Sequence, residues 1–262
     1  MHMKKDIEQI KKKNGFIIDM DGVIYHGNKL LPGAGEFVKW LKKADKKFVF
    51  LTNSSERTPK ELQEKLKRLG IDVDINIFFT SALATAMFLA SQKPKGSAYI
   101  IGEAGLINAL YNVGYTMNNV DPDYVVMGES RTYSYEKIEH AVNLVLKGAK
   151  LIGTNPDVSG PIEQGIAPAT KALISPIELA TGKSAYFVGK PNPLMMRKGL
   201  KKLNCTREET MIIGDRMDTD IVAGIEAEID TCLVLSGITT SESMKSFAYQ
   251  PRYVLNGVID LV

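Results

Sequence analysis

Short, unbroken apolar runs, each closed by a polar or acidic residue, set the strongest limit on how this chain can fold. Gly15-Phe16-Ile17-Ile18 ends in Asp19 and Asp21, Lys47 to Leu51, apolar after its lysine, ends in Thr52 and Asn53, and Met211-Ile212-Ile213 ends in Gly214 and Asp215. A strand that is apolar at every position must be covered on both faces, as in a parallel sheet packed between helices. Between these runs the pattern turns amphipathic, around Gly35 to Lys43 and from Pro59 through Leu62, Leu66 and Leu69 to Gly70. Proline in a first helical turn and glycine beyond the last are boundary signals. The alternation predicts an α/β protein with a largely parallel, Rossmann-like sheet.

A second set of alternating elements occupies the middle of the chain. Helices are expected at Ala82 to Ala90, Leu106 to Tyr111, Tyr135 to Leu146 and Ala172 to Ala180, and strands at Ala98 to Ile101, Tyr124 to Met127 and Leu151 to Gly153. These suffice for a small sheet of their own. The expected organisation is a core of residues 1–78 and 183–262 with a smaller α/β domain, 79–182, inserted in it. Strands at Tyr186 to Val188, Met211 to Ile213 and Thr231 to Leu235 are expected to resume the first sheet.

Open parallel sheets bind ligands at the carboxyl ends of their strands. Asp19 and Asp21 share one face of an extended segment, so the pair either holds a hard cation or divides the roles of nucleophile and proton carrier. Asp215 repeats the arrangement on another strand, and Asp220 follows where a helix should begin. Thr52 and Asn53 close a third strand, and Lys190 follows a fourth.

Other function classes find little support. The 33 basic and 30 acidic residues leave a net charge of +3, too slight to indicate nucleic acid. Two cysteines, Cys205 and Cys232, make no disulfide framework and fit a reducing, cytoplasmic setting. No apolar stretch reaches membrane-spanning length. No G-x-G-x-x-G follows a strand, and His26 and His140 stand without metal-ligand partners, so both read as packing or surface residues.

With these residues in order, the chain resembles the haloacid dehalogenase superfamily of aspartate-nucleophile phosphatases. The four motifs are Asp19-Met20-Asp21-Gly22-Val23, Leu51-Thr52-Asn53, Gly189-Lys190-Pro191, and Gly214-Asp215 with Asp220. Gly102-Glu103, Asp121-Pro122-Asp123-Tyr124, Gly128-Glu129 and Thr154-Asn155-Pro156-Asp157 resemble the large α/β cap of the NagD-like branch. The resemblance implies that Asp19 attacks phosphorus to give an aspartyl-phosphate, and that Asp19, the backbone carbonyl of Asp21, and Asp215 ligate Mg²⁺. It implies that the Asp21 side chain protonates the leaving oxygen and then activates water. Thr52, Asn53 and Lys190 would bind the phosphoryl oxygens, and Asp220 would support Lys190 or the metal waters. An acid at Asp21 separates phosphatases from dehalogenases of this fold, and an α/β cap after the second motif argues against a mutase. Asn155, Asp157 and Lys171 are the cap candidates for substrate contact, with a loop from Ser159 to Pro168 facing the substrate; Lys171 replaces a small residue common in the branch. The expected function is Mg²⁺-dependent hydrolysis of small phosphate monoesters, nucleoside monophosphates or sugar phosphates, with no nucleic-acid or membrane partner. Transfer to an acceptor other than water, or a non-catalytic member of the fold, are the alternatives.

Overall fold

The computed structural model describes residues 2–262, and the chain divides into two compact units. The first takes the chain up to Thr52, then Gln63–Phe79 and Lys190–Val262; the second takes Asn53–Leu62 and Thr80–Gly189.

The first unit is built on a six-stranded sheet in the order Tyr253–Leu255, Asp230–Val234, Thr210–Gly214, Gly15–Ile18, Lys47–Thr52, Phe78–Thr80. Its central pairs are parallel, with Ile18 opposite Ile213 on one side and Phe50 on the other. Phe16, Ile17, Ile18, Phe50, Leu51, Ile212 and Ile213 are wholly inaccessible, as apolar runs covered on both faces require. The helix Ala34–Lys43 turns Phe37, Val38 and Leu41 inward, and Trp40 meets Phe16 edge-on and stacks on Phe37, each at 5.9 Å between ring centres. Truncating a side chain as enclosed as Leu41 to alanine costs about 2–5 kcal/mol.

The second unit carries a five-stranded parallel sheet in the order Tyr186–Phe187, Lys150–Gly153, Tyr124–Met127, Ser97–Ile101, Thr116–Met117. Helices Tyr135–Leu146 and Thr170–Thr181 pack Ala141, Leu144, Leu173, Ile174 and Ile177 around Val125 and Met127. The architecture is thus a Rossmann-like parallel core with a smaller inserted α/β domain.

Several local expectations need correction. The strand at Tyr186, expected in the first sheet, pairs instead with Ile152 and Gly153 of the second. Gly153 permits this, because a Cβ there would lie 2.3 Å from the Phe187 ring. Within the segment from Ser159 to Pro168, expected as a loop, Ser159–Pro161 pairs antiparallel with Ile166–Pro168. A short antiparallel pair, Tyr25–His26 with Lys29–Leu30, follows the first acidic motif. Residues Met217–Ile221 form a π-turn that runs into the helix Val222–Glu226. No helix among the described residues is long and apolar enough to cross a membrane.

Candidate active site

Parallel register brings the acidic strand ends together. Asp19 follows Ile18 and Asp215 follows Gly214 on paired strands, and the Asp19 amide donates to the Ile213 carbonyl at 2.9 Å. Thr52 closes the strand on the other side of Gly15–Ile18 and is itself buried. Lys190 enters the same group: its Nζ donates to Asp19 Oδ1 at 2.6 Å, to Asp220 Oδ1 at 2.5 Å and to the Leu51 carbonyl at 3.2 Å.

Backbone amides hold two further carboxylate oxygens. The Arg216 amide donates to Asp220 Oδ2 at 3.1 Å, so both Asp220 oxygens are engaged, one by an ammonium and one by the chain. The Ile238 amide donates to Asp215 Oδ2 at 2.7 Å. Close approach here demands glycine: a Cβ on Gly22, whose φ is +80°, would lie 2.5 Å from the Asp215 carboxylate, and one on Gly237 would lie 2.0 Å from it. Ser236 Oγ donates to the Gly22 carbonyl at 2.7 Å and fixes the turn that carries Asp21.

The electrostatics follow from burial. Asp19, Asp215 and Asp220 each offer an oxygen within 4.8 Å of the others. Desolvation raises the Asp19 carboxyl from 3.8 to about 7 despite the opposing pull of Lys190, and Asp220 adds to the rise. Desolvation, reinforced by Asp19 and Asp220, also holds Asp215 well above the ordinary carboxyl range. Burial alone would lower the Lys190 ammonium, but Asp19 and Asp220 together raise it above the usual lysine value. Such crowding of carboxylates fits a hard divalent cation, whose charge would offset the excess. Asp19 and Asp215 are the side chains suited to it, because Asp220 is already committed at both oxygens. Accessibility separates the three further: Asp19 is 8% exposed, Asp215 2% and Asp220 0%, so Asp19 alone presents a usable surface to a reactant.

The candidates of the second unit form a group of their own. Asn155 is fully buried, and its amide donates to the Asn53 carbonyl at 2.8 Å and to Glu129 Oε1 at 2.7 Å. Its oxygen accepts from the Asp157 amide at 3.1 Å, and Asp157 Oδ2 accepts from Asn53 Nδ2 at 3.1 Å. Lys171 pairs with Glu178 at 2.6 Å and lies 4.9 Å from the centre of the Phe187 ring. Asn53 and Asn155 therefore serve to fix the chain where it enters the second unit.

Two features escaped the sequence reading. Glu129 clamps Ser55, accepting from its hydroxyl and, at 3.2 Å, from its amide. His26, read as a lone residue, has its Nδ1 3.5 Å from Asp21 Oδ1. The only signal for the latter was that Gly27 favours a tight turn just after Tyr25-His26.

Known proteins resemble this chain over most of its length. Residues 16–116 match a family model described as haloacid dehalogenase-like hydrolase, and residues 187–261 match an HAD-hydrolase-like model. A dihydroxyacetone phosphatase of Corynebacterium glutamicum is 45% identical over 94% of this chain and 90% of its own length. The ribonucleotide monophosphatase NagD of Escherichia coli K12 is 40% identical over 94% of this chain and 96% of its own length. Its solved structure superposes with a TM-score of 0.88 over 95% of this chain and 98% of that one, at 39% identity. A 4-nitrophenylphosphatase from Thermotoga maritima reaches a TM-score of 0.92 over 97% of both chains at 33% identity.

Proposed function

Because the chain belongs to the haloacid dehalogenase-like hydrolases and is a phosphatase of the NagD-like group, we propose that it hydrolyses small phosphate monoesters through an aspartyl-phosphate on Asp19. The observation that carries this reading is the buried trio in which one ammonium, Lys190, joins Asp19 and Asp220 beside Asp215.

A phosphate monoester repels an anionic nucleophile, so positive charge must be in place before attack. Lys190 supplies part of it next to Asp19, and Asp220 holds the ammonium in position. Asp19, Asp215 and the Asp21 backbone carbonyl would hold Mg²⁺. Bound there, Mg²⁺ would neutralise charge on the phosphoryl oxygens and keep Asp19 ionised.

In the first half-reaction an Asp19 oxygen forms a bond to phosphorus while the bond to the ester oxygen breaks. The departing electron pair stays on that oxygen, which takes the proton of the Asp21 carboxyl. In the second, Asp21 accepts a proton from water as the water oxygen bonds to phosphorus and the Asp19 carboxylate departs. Phosphate is released and Asp21 is again protonated. Thr52 adds a neutral hydrogen bond to the phosphoryl group.

Ribonucleotide and sugar monophosphates are the proposed substrate class, supported by relatives named dihydroxyacetone phosphatase, ribonucleotide monophosphatase and acid sugar phosphatase. A panel of these esters assayed with Mg²⁺ for phosphate release tests the assignment. Turnover confined to aryl phosphates would overturn the substrate class.

A further inference from the structure

We propose that His26 is a positioning residue for Asp21, its imidazole holding one carboxyl oxygen so that the other faces the departing ester oxygen. The inference rests on the reading of Asp21 as the proton donor to the leaving group.

The geometry is fixed by the backbone on both sides of the pair. Asp21 and Tyr25 form a bridge, the Gly22 amide donates to the Tyr25 carbonyl at 2.8 Å, and the Tyr25 amide donates to the Met20 carbonyl at 3.2 Å. Beyond it, His26 pairs with Lys29 across a two-residue loop, in which Gly27 has φ +55°. That value suits the first central position of a tight hairpin turn. The spacing between residues 21 and 26 is therefore set by a closed ring of hydrogen bonds and not by a free loop.

Side-chain alternation does the rest. Neighbouring residues of a strand point to opposite faces. Tyr25 points inward, 5% exposed, with the buried ammonium of Lys65 3.5 Å from the centre of its ring. A cation held on an aromatic face in a desolvated place anchors the hairpin firmly. His26 takes the outward face, and its Nδ1 lies 3.5 Å from Asp21 Oδ1. Both side chains stay open to a reactant, with 48% and 37% of their surfaces exposed. At 3.5 Å a small rotation of the ring brings Nδ1 within hydrogen-bond distance of Oδ1, and that contact would favour the carboxyl orientation in which the other oxygen faces the departing ester oxygen.

A group that orients the acid matters only when the leaving oxygen needs the proton. p-Nitrophenolate departs as a stable anion, whereas an alkoxide does not. The test is the full-length enzyme with Mg²⁺, assayed for kcat and KM on p-nitrophenyl phosphate and on the alkyl phosphate it turns over fastest. For His26→Ala we expect kcat on the alkyl ester to fall by about tenfold or more, with kcat on the aryl ester within about twofold and both KM values little changed. His26→Asn, which carries an amide nitrogen as many bonds from Cβ as Nδ1, restores most of the loss. In an Asp21→Asn background, His26→Ala has no further effect. Equal losses on both esters, no loss, or failure of His26→Asn to restore activity would each overturn the assignment. An active Asp19→Asn enzyme would instead remove the reading on which it rests.

Discussion

Lys190 and Asp220 meet at 2.5 Å with side chains 2% and 0% exposed, so the cation beside the candidate nucleophile is itself held by a carboxylate that water does not reach. Asp220 has no surface for a substrate. Its effect on turnover must pass through Lys190 and the Arg216 amide.

Asp220→Asn retains the shape and removes the charge. We expect kcat to fall by about 10–100-fold with KM within about threefold, because positioning of the ammonium is lost while the phosphate site remains. Steady-state kinetics on p-nitrophenyl phosphate measure both; a rise in KM at unchanged kcat would place Asp220 in ground-state binding instead.

The raised Asp19 carboxyl makes metal binding depend on pH. Between the ordinary value of 3.8 and about 7 the folded, metal-free chain keeps a proton that the unfolded chain has released. Its stability therefore declines as pH rises through that window and remains lower above it. A divalent cation bound there would compete for the same oxygens and recover the lost stability. Addition of Mg²⁺ should raise the melting temperature more at about pH 8 than at about pH 5.5. Differential scanning fluorimetry at the two pH values decides the point, and an equal shift would disagree.

Glu129 ties residues far apart in the chain, accepting from Ser55 and Asn155. Removing a charged acceptor from partly buried donors costs about 1.5–3 kcal/mol. Glu129→Ala should lower stability by that amount and speed hydrogen exchange at the Ser55 amide. An unchanged exchange rate at Ser55 would show the clamp to be unimportant.

Much of this was legible in the sequence, for physical reasons. Gly15 to Ile18 and Met211 to Ile213 are apolar at every position, so they had to be buried strands, and parallel pairing then carries Asp19 and Asp215 to one end. The helix expected at Tyr135 to Leu146 forms at those bounds, and the Ser134 hydroxyl accepts from the Lys137 amide at its start. What stayed hidden depends on distance in sequence or on very short pairing. Tyr186–Phe187 is two residues long and equally plausible in either sheet until Gly153 is seen to admit the Phe187 ring. Glu129 and Ser55 are 74 residues apart and share no period. His26 reaches Asp21 only because a hairpin too small to leave an alternating pattern folds it back. Asn53 and Asn155 lie within recognisable motifs, but burial and mutual bonding, which no motif encodes, give them an anchoring part.

The central claim is that Asp19 forms the bond to phosphorus. Asp19→Asn, checked by circular dichroism to be folded and assayed with Mg²⁺ on p-nitrophenyl phosphate, tests it most directly. The account predicts a loss in kcat of at least about a thousandfold. Turnover close to that of the unaltered enzyme would contradict it.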